Sequence, residues 1–240
     1  MSEEKQPEAL NPEWDKIYLN YIDGKRMSTG RLCTHFIESR NPATMELVGI
    51  VPRSSEIEVN LAVEAAKNAY PRWRKVPAPK RAEILFRTAE ILKPRKEKLA
   101  RLCAMENGKP LKESRGDVQE AIDMANYIAG EGRRLQGQTV PSEMPNKFSM
   151  STREPIGVCA LITPWNFPFA IPMWKIAPAL VCGNTVVFKP AEDTPICATV
   201  LVEILNEAGM KDYPGVLNLI HGVGEEAGRL LVSHPDVDLV

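Results

Sequence analysis

The sequence lacks paired cysteines, long apolar runs and an excess of charge of either sign. Its 240 residues include five cysteines, and none forms a Cys-x-x-Cys pair, so no metal centre is expected. No apolar stretch approaches the ~20 residues of a membrane span, and the N-terminus lacks the apolar core of a signal peptide. The net charge of −1 gives no basic patch for nucleic acid or an anionic membrane. We therefore expect a cytoplasmic globular protein with neither partner.

The first part of the chain is predicted to contain a short hairpin and three helices. Residues 1–16 are polar and indicate a flexible lead-in. Residues 17–22 are rich in β-formers, and the Asp-Gly pair at 23–24 favours a hairpin turn. Apolar residues recur at helical spacing in three segments, 56–70, 78–107 and 113–134. Pro94 should kink or split the second of these helices.

The second part alternates apolar strands with helices. Strands are predicted at 156–163, 185–188 and 216–220, with a fourth beginning at 237–240. Helices are predicted at 170–182, 195–208 and 225–232. Such alternation is typical of a parallel sheet with right-handed crossovers. The predicted fold class is therefore α/β, in which N-terminal helices and short strands lead into a Rossmann-like parallel sheet. The thiols of Cys159 and Cys182, in apolar segments, are expected to be buried and inert.

Polar and glycine residues follow each predicted strand at its carboxyl end. A Pro-Trp-Asn run at 164–166 follows the first strand, and Lys189 and Glu192 follow the second. A Gly-x-Gly-x-x-x-Gly run at 222–228 follows the third. Because open parallel sheets bind ligands at the carboxyl ends of their strands, the three loops together predict one binding site.

The residue types in the second and third loops suit a dinucleotide. Lys189 can donate to sugar hydroxyls, and the Glu192 carboxylate can accept from ribose hydroxyls and repel a 2′-phosphate, which favours NAD over NADP. Gly224 and Gly228 allow backbone N–H groups and a helix N-terminus to face a pyrophosphate. The alternatives are an exposed loop ion pair for Lys189 and Glu192 and an ordinary strand-to-helix turn for the glycines.

Asn166 is the candidate catalytic residue of the first loop. Its side-chain amide can donate a hydrogen bond to an oxygen that becomes negative, which is an oxyanion-hole role. Pro164 and Pro168 would keep the loop stiff. The alternative is an asparagine that simply favours a proline-rich turn.

These segments together resemble the aldehyde dehydrogenase superfamily, in its N-terminal, cofactor-binding portion. The resemblance covers nearly the whole chain and is carried by Tyr-Ile-Asp-Gly at 21–24, Asn-Pro-Ala-Thr at 41–44, Glu-Asn-Gly-Lys-Pro at 106–110, Pro-Ile-Gly-Val at 155–158, Pro-Trp-Asn-Phe-Pro at 164–168, Ala-Leu-Val-Cys-Gly-Asn-Thr-Val-Val at 179–187 and Lys-Pro-Ala-Glu at 189–192. The look of residues 127–132 and 171–178 is closest to semialdehyde dehydrogenases, such as those acting on 2-oxoglutarate semialdehyde.

The resemblance implies a chemistry and a role for each matching residue. In the family a cysteine thiolate attacks the aldehyde, an asparagine and a backbone N–H hold the oxyanion, hydride passes to NAD or NADP, and a glutamate-activated water releases the acid. Asn166 matches the oxyanion residue. The implied cofactor contacts are Ile162, Thr163, Pro164, Trp165, Lys189, Ala191, Glu192, Gly224 and Gly228.

The resemblance also implies a division of the chain. Residues 1–16 would be the lead-in, 17–154 a helical segment with the hairpin and a strand of the kind that joins subunits, and 155–240 an incomplete Rossmann-like NAD-binding fold. The family segments that carry the nucleophile and the general base are absent. The isolated chain is therefore expected to be inactive without its missing half, and the full-length form to be a homo-oligomer acting on a small aldehyde. The alternative is a stand-alone nucleotide-binding or regulatory module.

Overall fold

The computed structural model describes residues 16–27 and 36–240. Except for Lys16, the predicted lead-in at 1–16 lies outside the described residues, as does Cys33. The described residues form one five-stranded sheet and two separate two-stranded ribbons, accompanied by six α-helices. The division of the chain at 16/17 and 154/155 stays a prediction.

The first half of the chain consists of two hairpins, three helices and a ribbon. In chain order, its elements are β1 (Asn20–Ile22), β2 (Lys25–Met27), β3 (Phe36–Arg40), β4 (Leu47–Pro52), α1 (Glu56–Trp73), α2 (Ala78–Asn107), α3 (Leu111–Glu131), β5 (Gln138–Val140) and β6 (Ser149–Ser151). The predicted hairpin at Asp23 and Gly24 is confirmed by the pairing of β1 with β2. The β3–β4 hairpin and strand β5 were not predicted.

The second half alternates strands and helices, as predicted. Its elements are β7 (Val158–Ile162), α4 (Ala170–Val181), β8 (Thr185–Lys189), α5 (Pro195–Glu207), β9 (Leu217–Leu219) and α6 (Arg229–Val232). The predicted helix at 225–232 begins instead as a π-helical turn over Gly224–Gly228. The predicted fourth strand is reduced to a single parallel bridge between Leu239 and Cys159.

The ends of the long helices follow local rules, and one expectation fails. In α1, Glu58 accepts from the Ser55 backbone N–H at 2.8 Å, which completes a capping box. Helix α2 ends at Gly108, whose φ of 81° is the left-handed conformation that glycine favours. Of the kink or split predicted at Pro94, the split is wrong, because α2 continues through it. Pro94 and Glu90, whose carbonyl loses its donor, are both exposed, so solvent can satisfy that carbonyl.

The large sheet has the strand order β2-β1-β9-β8-β7. Strands β7, β8 and β9 run parallel, which confirms the predicted parallel sheet. Strand β1 joins β9 antiparallel, so the N-terminal hairpin extends the sheet at one edge. On the other side of β7, Leu239 accepts from the Ala160 backbone N–H at 2.8 Å. The carboxyl ends of the three parallel strands therefore share one edge of the sheet.

Both faces of the sheet are covered, which explains the nearly continuous apolar strands. Along β8, Val186 and Phe188 belong to the larger core with α2–α5, and Val187 to the smaller core with α1 and α6. Each such fully buried side chain stabilises the fold by roughly 1.5–3 kcal/mol. Cys159 is buried as expected, but Cys182 is exposed, because it lies just beyond the last turn of α4. None of the helices in residues 16–27 and 36–240 is long and apolar enough to cross a bilayer.

Replacing Gly157 by alanine is expected to destabilise the protein. Gly157 has a φ of +145°, and a Cβ there would lie 2.0 Å from Asp238 Oδ2, which itself accepts from the Val158 N–H at 2.8 Å. We expect the free energy of unfolding to fall by about 1–3 kcal/mol in urea denaturation. In the control Gly116→Ala, nothing lies within 4 Å of the new Cβ, and stability should rise by about 0.5–1 kcal/mol. Equal effects of the two changes would contradict this account.

Candidate functional site

Lys189 occupies the centre of the site at the end of β8. Its side chain is only 1% exposed, and its Nζ donates to the carbonyl oxygens of Pro190 and Gly222, each at 2.7 Å. A third bond, at 3.2 Å, joins Nζ to Glu192 Oε2. Burial lowers the pKa of Lys189, and the charge of Glu192 opposes that shift. The buried ammonium is thus fully hydrogen-bonded, and it holds the second and third loops together.

Glu192 completes the link to the glycine turn. Its Oε1 accepts from the Gly224 backbone N–H at 3.2 Å. Partial burial opposes ionisation of Glu192. Its own backbone N–H, the charge of Lys189 and the Gly224 N–H together outweigh that cost, so the pKa lies below its usual value. The structure therefore presents a carboxylate at a fixed position.

The glycines of the third loop permit this close approach. A Cβ on Gly222 would lie 2.7 Å from the Ala227 Cβ, and its φ is +158°. A Cβ on Gly228 would lie 3.6 Å from Lys189 Cε and 3.9 Å from Ile162 Cδ1. A side chain on Gly222 would collide with Ala227 within the turn, whereas a Cβ on Gly228 would make only ordinary contact with Lys189. Gly222 is therefore the position at which the turn requires glycine.

The first loop borders the set formed by Lys189, Glu192 and the backbone of Gly222 and Gly224, which we call the Lys189 cluster. The Thr163 backbone N–H donates to the Lys189 carbonyl at 3.2 Å, and the Ile162 carbonyl accepts from Lys175 Nζ at 2.7 Å. Thr163 and Ala191 are buried, whereas Pro164 and Trp165 are exposed. The structure thus brings Ile162 and Thr163 of the first loop beside Lys189 and Gly228. No contact of Pro164 or Trp165 with them is seen among the described residues.

Asn166 lies further along the first loop. It is exposed, and within the described part of the chain no hydrogen bond is made by its side-chain amide. Its backbone carbonyl accepts from Lys109 Nζ, and the preceding carbonyl, of Trp165, accepts from Asn107 Nδ2 at 2.8 Å. The loop is therefore fixed from the α2–α3 turn rather than from the Lys189 cluster.

A buried polar chain from the first half fixes the start of the third loop. The His221 N–H donates to Asn20 Oδ1, and Asn20 Nδ2 donates to Ser54 Oγ, each at 2.8 Å. The Ser54 N–H donates back to the His221 carbonyl at 3.1 Å. Sequence reasoning missed Asn20 and Ser54, because no local pattern relates residues so far apart.

Two buried carboxylates, also missed, cap the helices that follow the site loops. Glu106 accepts from the backbone N–H groups of Ile196 and Cys197 at 2.7 and 2.8 Å, at the start of α5. Asp117 accepts from the Ala170 N–H at 2.7 Å, at the start of α4. A helix N-terminus favours negative charge. The Glu-Asn-Gly-Lys-Pro segment at 106–110, which contributes to the family resemblance, contains Glu106 but does not indicate its role. Asp117 lies outside that segment.

The described residues contain no group of three or more histidine, cysteine, aspartate or glutamate side chains that could hold a metal ion. What they do contain is an edge of parallel strands with a buried lysine, a carboxylate acceptor and a close glycine turn. This combination is that of an α/β fold that binds dinucleotides.

The chain belongs to the aldehyde dehydrogenase family, whose sequence model matches residues 30–240. It is 42% identical over 221 residues to malonate-semialdehyde dehydrogenase 1 of Geobacillus kaustophilus, covering 92% of this chain and 44% of that protein. It is 40% identical over 226 residues to the alpha-ketoglutaric semialdehyde dehydrogenase of Bacillus subtilis, covering 93% and 45%. The chain thus spans a little under half the length of these curated relatives. The resemblance to semialdehyde dehydrogenases is confirmed.

Solved structures share the fold. An NADP-dependent enzyme of E. coli superposes with a TM-score of 0.87 at 36% identity, over 95% of this chain and 47% of that one. An NAD-dependent aldehyde dehydrogenase of Sinorhizobium meliloti gives a TM-score of 0.87 at 35% identity, over 93% and 44%. The predicted α/β fold is therefore confirmed. One neighbour is named for NADP and the other for NAD, so a nicotinamide cofactor is common to both names.

Protonation of His221 should weaken the fold in acid. Burial, and next the charge of Lys189, lower the pKa of His221 from 6.5 to about 3. Between these values the unfolded chain binds more protons than the folded one, so stability falls as the pH drops from 6.5 towards 3. The free energy of unfolding should fall by up to about 1.4 kcal/mol per pH unit. Urea denaturation of the protein and of His221→Gln, at several pH values between 6.5 and about 3, measures this loss of stability. Parallel profiles would contradict the assignment to His221.

Proposed function

We propose that the chain binds NAD at the edge formed by β7, β8 and β9 and takes part in the oxidation of an aldehyde to a carboxylate. The observation that carries this proposal is the Lys189–Glu192–Gly224 hydrogen-bonded set, in a chain of the aldehyde dehydrogenase family. The bound cofactor would accept hydride from the substrate. The names of the matched relatives favour a semialdehyde as that substrate.

The donors and acceptors of the site fit an adenosine ribose. The Glu192 carboxylate accepts from Lys189, from the Gly224 N–H and from its own backbone N–H. Because a carboxylate has about four acceptor sites, one remains for a ribose hydroxyl. Lys189 has three N–H donors, and all three are used. A ribose hydroxyl that binds Lys189 would replace the longest of these bonds, the one to Glu192. The turn from Gly224 to Gly228 lies beside Lys189, and its backbone N–H groups could bind a pyrophosphate.

Asn166 would stabilise the oxyanion that forms when the aldehyde is attacked. Its exposed amide has no protein partner among the described residues, so both N–H groups are available to a substrate oxygen. The donor is aimed by its backbone, which Lys109 and Asn107 hold through neighbouring carbonyls. A preorganised donor of this kind costs no reorganisation during the reaction.

We also propose that the 240-residue chain does not turn over aldehyde by itself. Burial raises the pKa of the Cys159 thiol to about 11 and that of Cys197 well above its ordinary value. The thiols of Cys159 and Cys197 are therefore poor nucleophiles, since only thiolate attacks. Cys103 is fully buried, so a substrate cannot reach it. The fourth described cysteine, Cys182, is exposed, but it lies just before β8 begins, at the edge of the sheet opposite the site. A stand-alone nucleotide-binding module is the second candidate, supported by the position of these thiols.

Assembly and location are further proposals from the same reasoning. Strands β5 and β6 expose large apolar side chains, among them Phe148 beside the ribbon at 76% and Met150 at 62%. Exposed apolar surface of this kind marks interaction sites, which supports a homo-oligomer of the full-length form. A cytoplasmic location remains the expectation from the sequence.

The preference for NAD over NADP should depend on Glu192. Its carboxylate would repel a 2′-phosphate, so we expect Kd for NADP to exceed Kd for NAD by at least about tenfold, or about 1.4 kcal/mol. Glu192→Gln should shrink this ratio by weakening NAD and strengthening NADP. The matched control is Asp193→Asn, an exposed neighbour whose ratio should not change. Isothermal titration calorimetry with both nucleotides measures the two Kd values. If the parent chain does not bind NAD, the proposed site is wrong.

Loss of the Asn166 amide should slow catalysis without affecting cofactor binding. In an active form, made by supplying a chain with the family's nucleophile and general base, Asn166→Ala should lower kcat by about 10²–10³-fold, or about 2.7–4 kcal/mol. NAD affinity should stay the same, because Asn166 lies apart from the Lys189 cluster. The control is Asn60→Ala, an exposed asparagine on α1. An unchanged kcat would remove Asn166 from the mechanism.

A further inference from the structure

We propose that Lys109 and Asp117 are positioning residues that aim the Asn166 side chain, an inference that rests on the proposed role of Asn166. Lys109 lies in the α2–α3 turn, and Asp117 lies one and a half turns into α3. Neither residue was assigned a role from the sequence, and neither contacts the Lys189 cluster in the residues that the structure describes.

Lys109 binds the backbone of the loop at Asn166 itself. Its Nζ donates to the Asn166 backbone carbonyl and lies 4.3 Å from the centre of the Phe167 ring, a cation–π contact. The Lys109 side chain is only 10% exposed. Since a partly desolvated ammonium gives up water to make these contacts, it holds the carbonyl more firmly than a surface lysine would.

Asp117 supplies the counter-charge and fixes the far end of the loop. Its side chain is fully buried, and its Oδ2 lies 3.3 Å from Lys109 Nζ. Its Oδ1 accepts from the backbone N–H groups of Phe169 and Ala170, at 3.3 and 2.7 Å, where α4 begins. One carboxylate therefore anchors both the lysine that binds the Asn166 carbonyl and the helix that follows the loop.

The arrangement specifies orientation, because Asn166 has nothing else to orient it. Its amide makes no hydrogen bond to the described part of the protein, so the backbone on either side is what places the side chain, through the direction of the Cα–Cβ bond. Asn107 holds the Trp165 carbonyl at 2.8 Å, and Lys109 holds the next one. These two carbonyls belong to the two peptide groups on either side of the Asn166 Cα. Their hydrogen bonds to Asn107 and Lys109 therefore fix the planes of both peptide groups.

Hydrogen–deuterium exchange of the 240-residue chain tests the inference without any need for activity. In Lys109→Met, the amides of Phe169 and Ala170, which donate to Asp117 Oδ1, should exchange at least about tenfold faster, because local opening of the loop becomes easier. Exchange in β8 and Kd for NAD should not change. Lys109→Arg, which keeps the charge and the donors, should restore slow exchange. The matched control is Lys112→Met, an exposed lysine three residues away, which should leave the loop unchanged.

Two outcomes would overturn the inference: exchange at Phe169 and Ala170 that stays slow in Lys109→Met, or a uniform rise over the whole chain with no excess at these two amides. If Lys109→Met does not fold, because Asp117 is left buried without its cation, the double change Lys109→Met/Asp117→Asn removes both charges and should show the same local rise. Failure of the parent chain to bind NAD would count against the proposed function alone, since loop exchange is measured without nucleotide. In an active form, Lys109→Met should lower kcat more than it raises KM for the aldehyde.

Discussion

The organisation of the site depends on the burial of one ammonium group. Lys189 is almost wholly removed from water, and a desolvated charge is tolerated only when hydrogen bonds replace its hydration. Two backbone carbonyls and the Glu192 carboxylate meet that need, and one of the carbonyls belongs to Gly222 in a different loop. The second and third loops must therefore converge wherever Lys189 is buried. Gly222, whose carbonyl accepts from Lys189, has no room for a side chain, because a Cβ there would lie 2.7 Å from the Ala227 Cβ.

A second set of buried acidic side chains aligns the helices with the sheet. Burial raises the pKa of one of them, Glu106, and the N–H groups of Ile196 and Cys197 oppose that shift. Glu106 at the end of α2 and Asp117 in α3 each accept from the first N–H groups of a crossover helix, α5 and α4 respectively. Each carboxylate satisfies donors that would otherwise be orphaned at a helix start and complements the helix dipole. The N-terminal helices thus do more than cover one face of the sheet. They fix where the two loops that carry Lys189 and Asn166 re-enter helical structure.

Features set by local chemistry could be predicted, and features set by distant partners could not. Helix α2 occupies 78–107 as its periodicity, Gly108 and the preceding proline indicate, and the apolar strands at β7 and β8 form the parallel sheet. The antiparallel addition of β1 to β9 and the Asn20–Ser54–His221 chain escaped prediction, because each joins residues whose local sequences carry no mutual signal. Pro94 misled for a related reason: its cost depends on solvent exposure, which only the packed structure reveals.

Lys189 and Asn166 differ in how their hydrogen-bond donors are used. Lys189 has every donor engaged within the protein, whereas the Asn166 amide has none engaged with the described residues. A group that binds a ground-state cofactor gains from being held by many partners, because its position is then fixed before the ligand arrives. A group that stabilises a developing charge must keep its donors free and draw its rigidity from elsewhere, because a donor already paired with protein would lose one bond to form another. In the proposed role of Asn166, the hydrogen bonds from Asn107 and Lys109 to the loop backbone would supply that rigidity and leave the side-chain amide free.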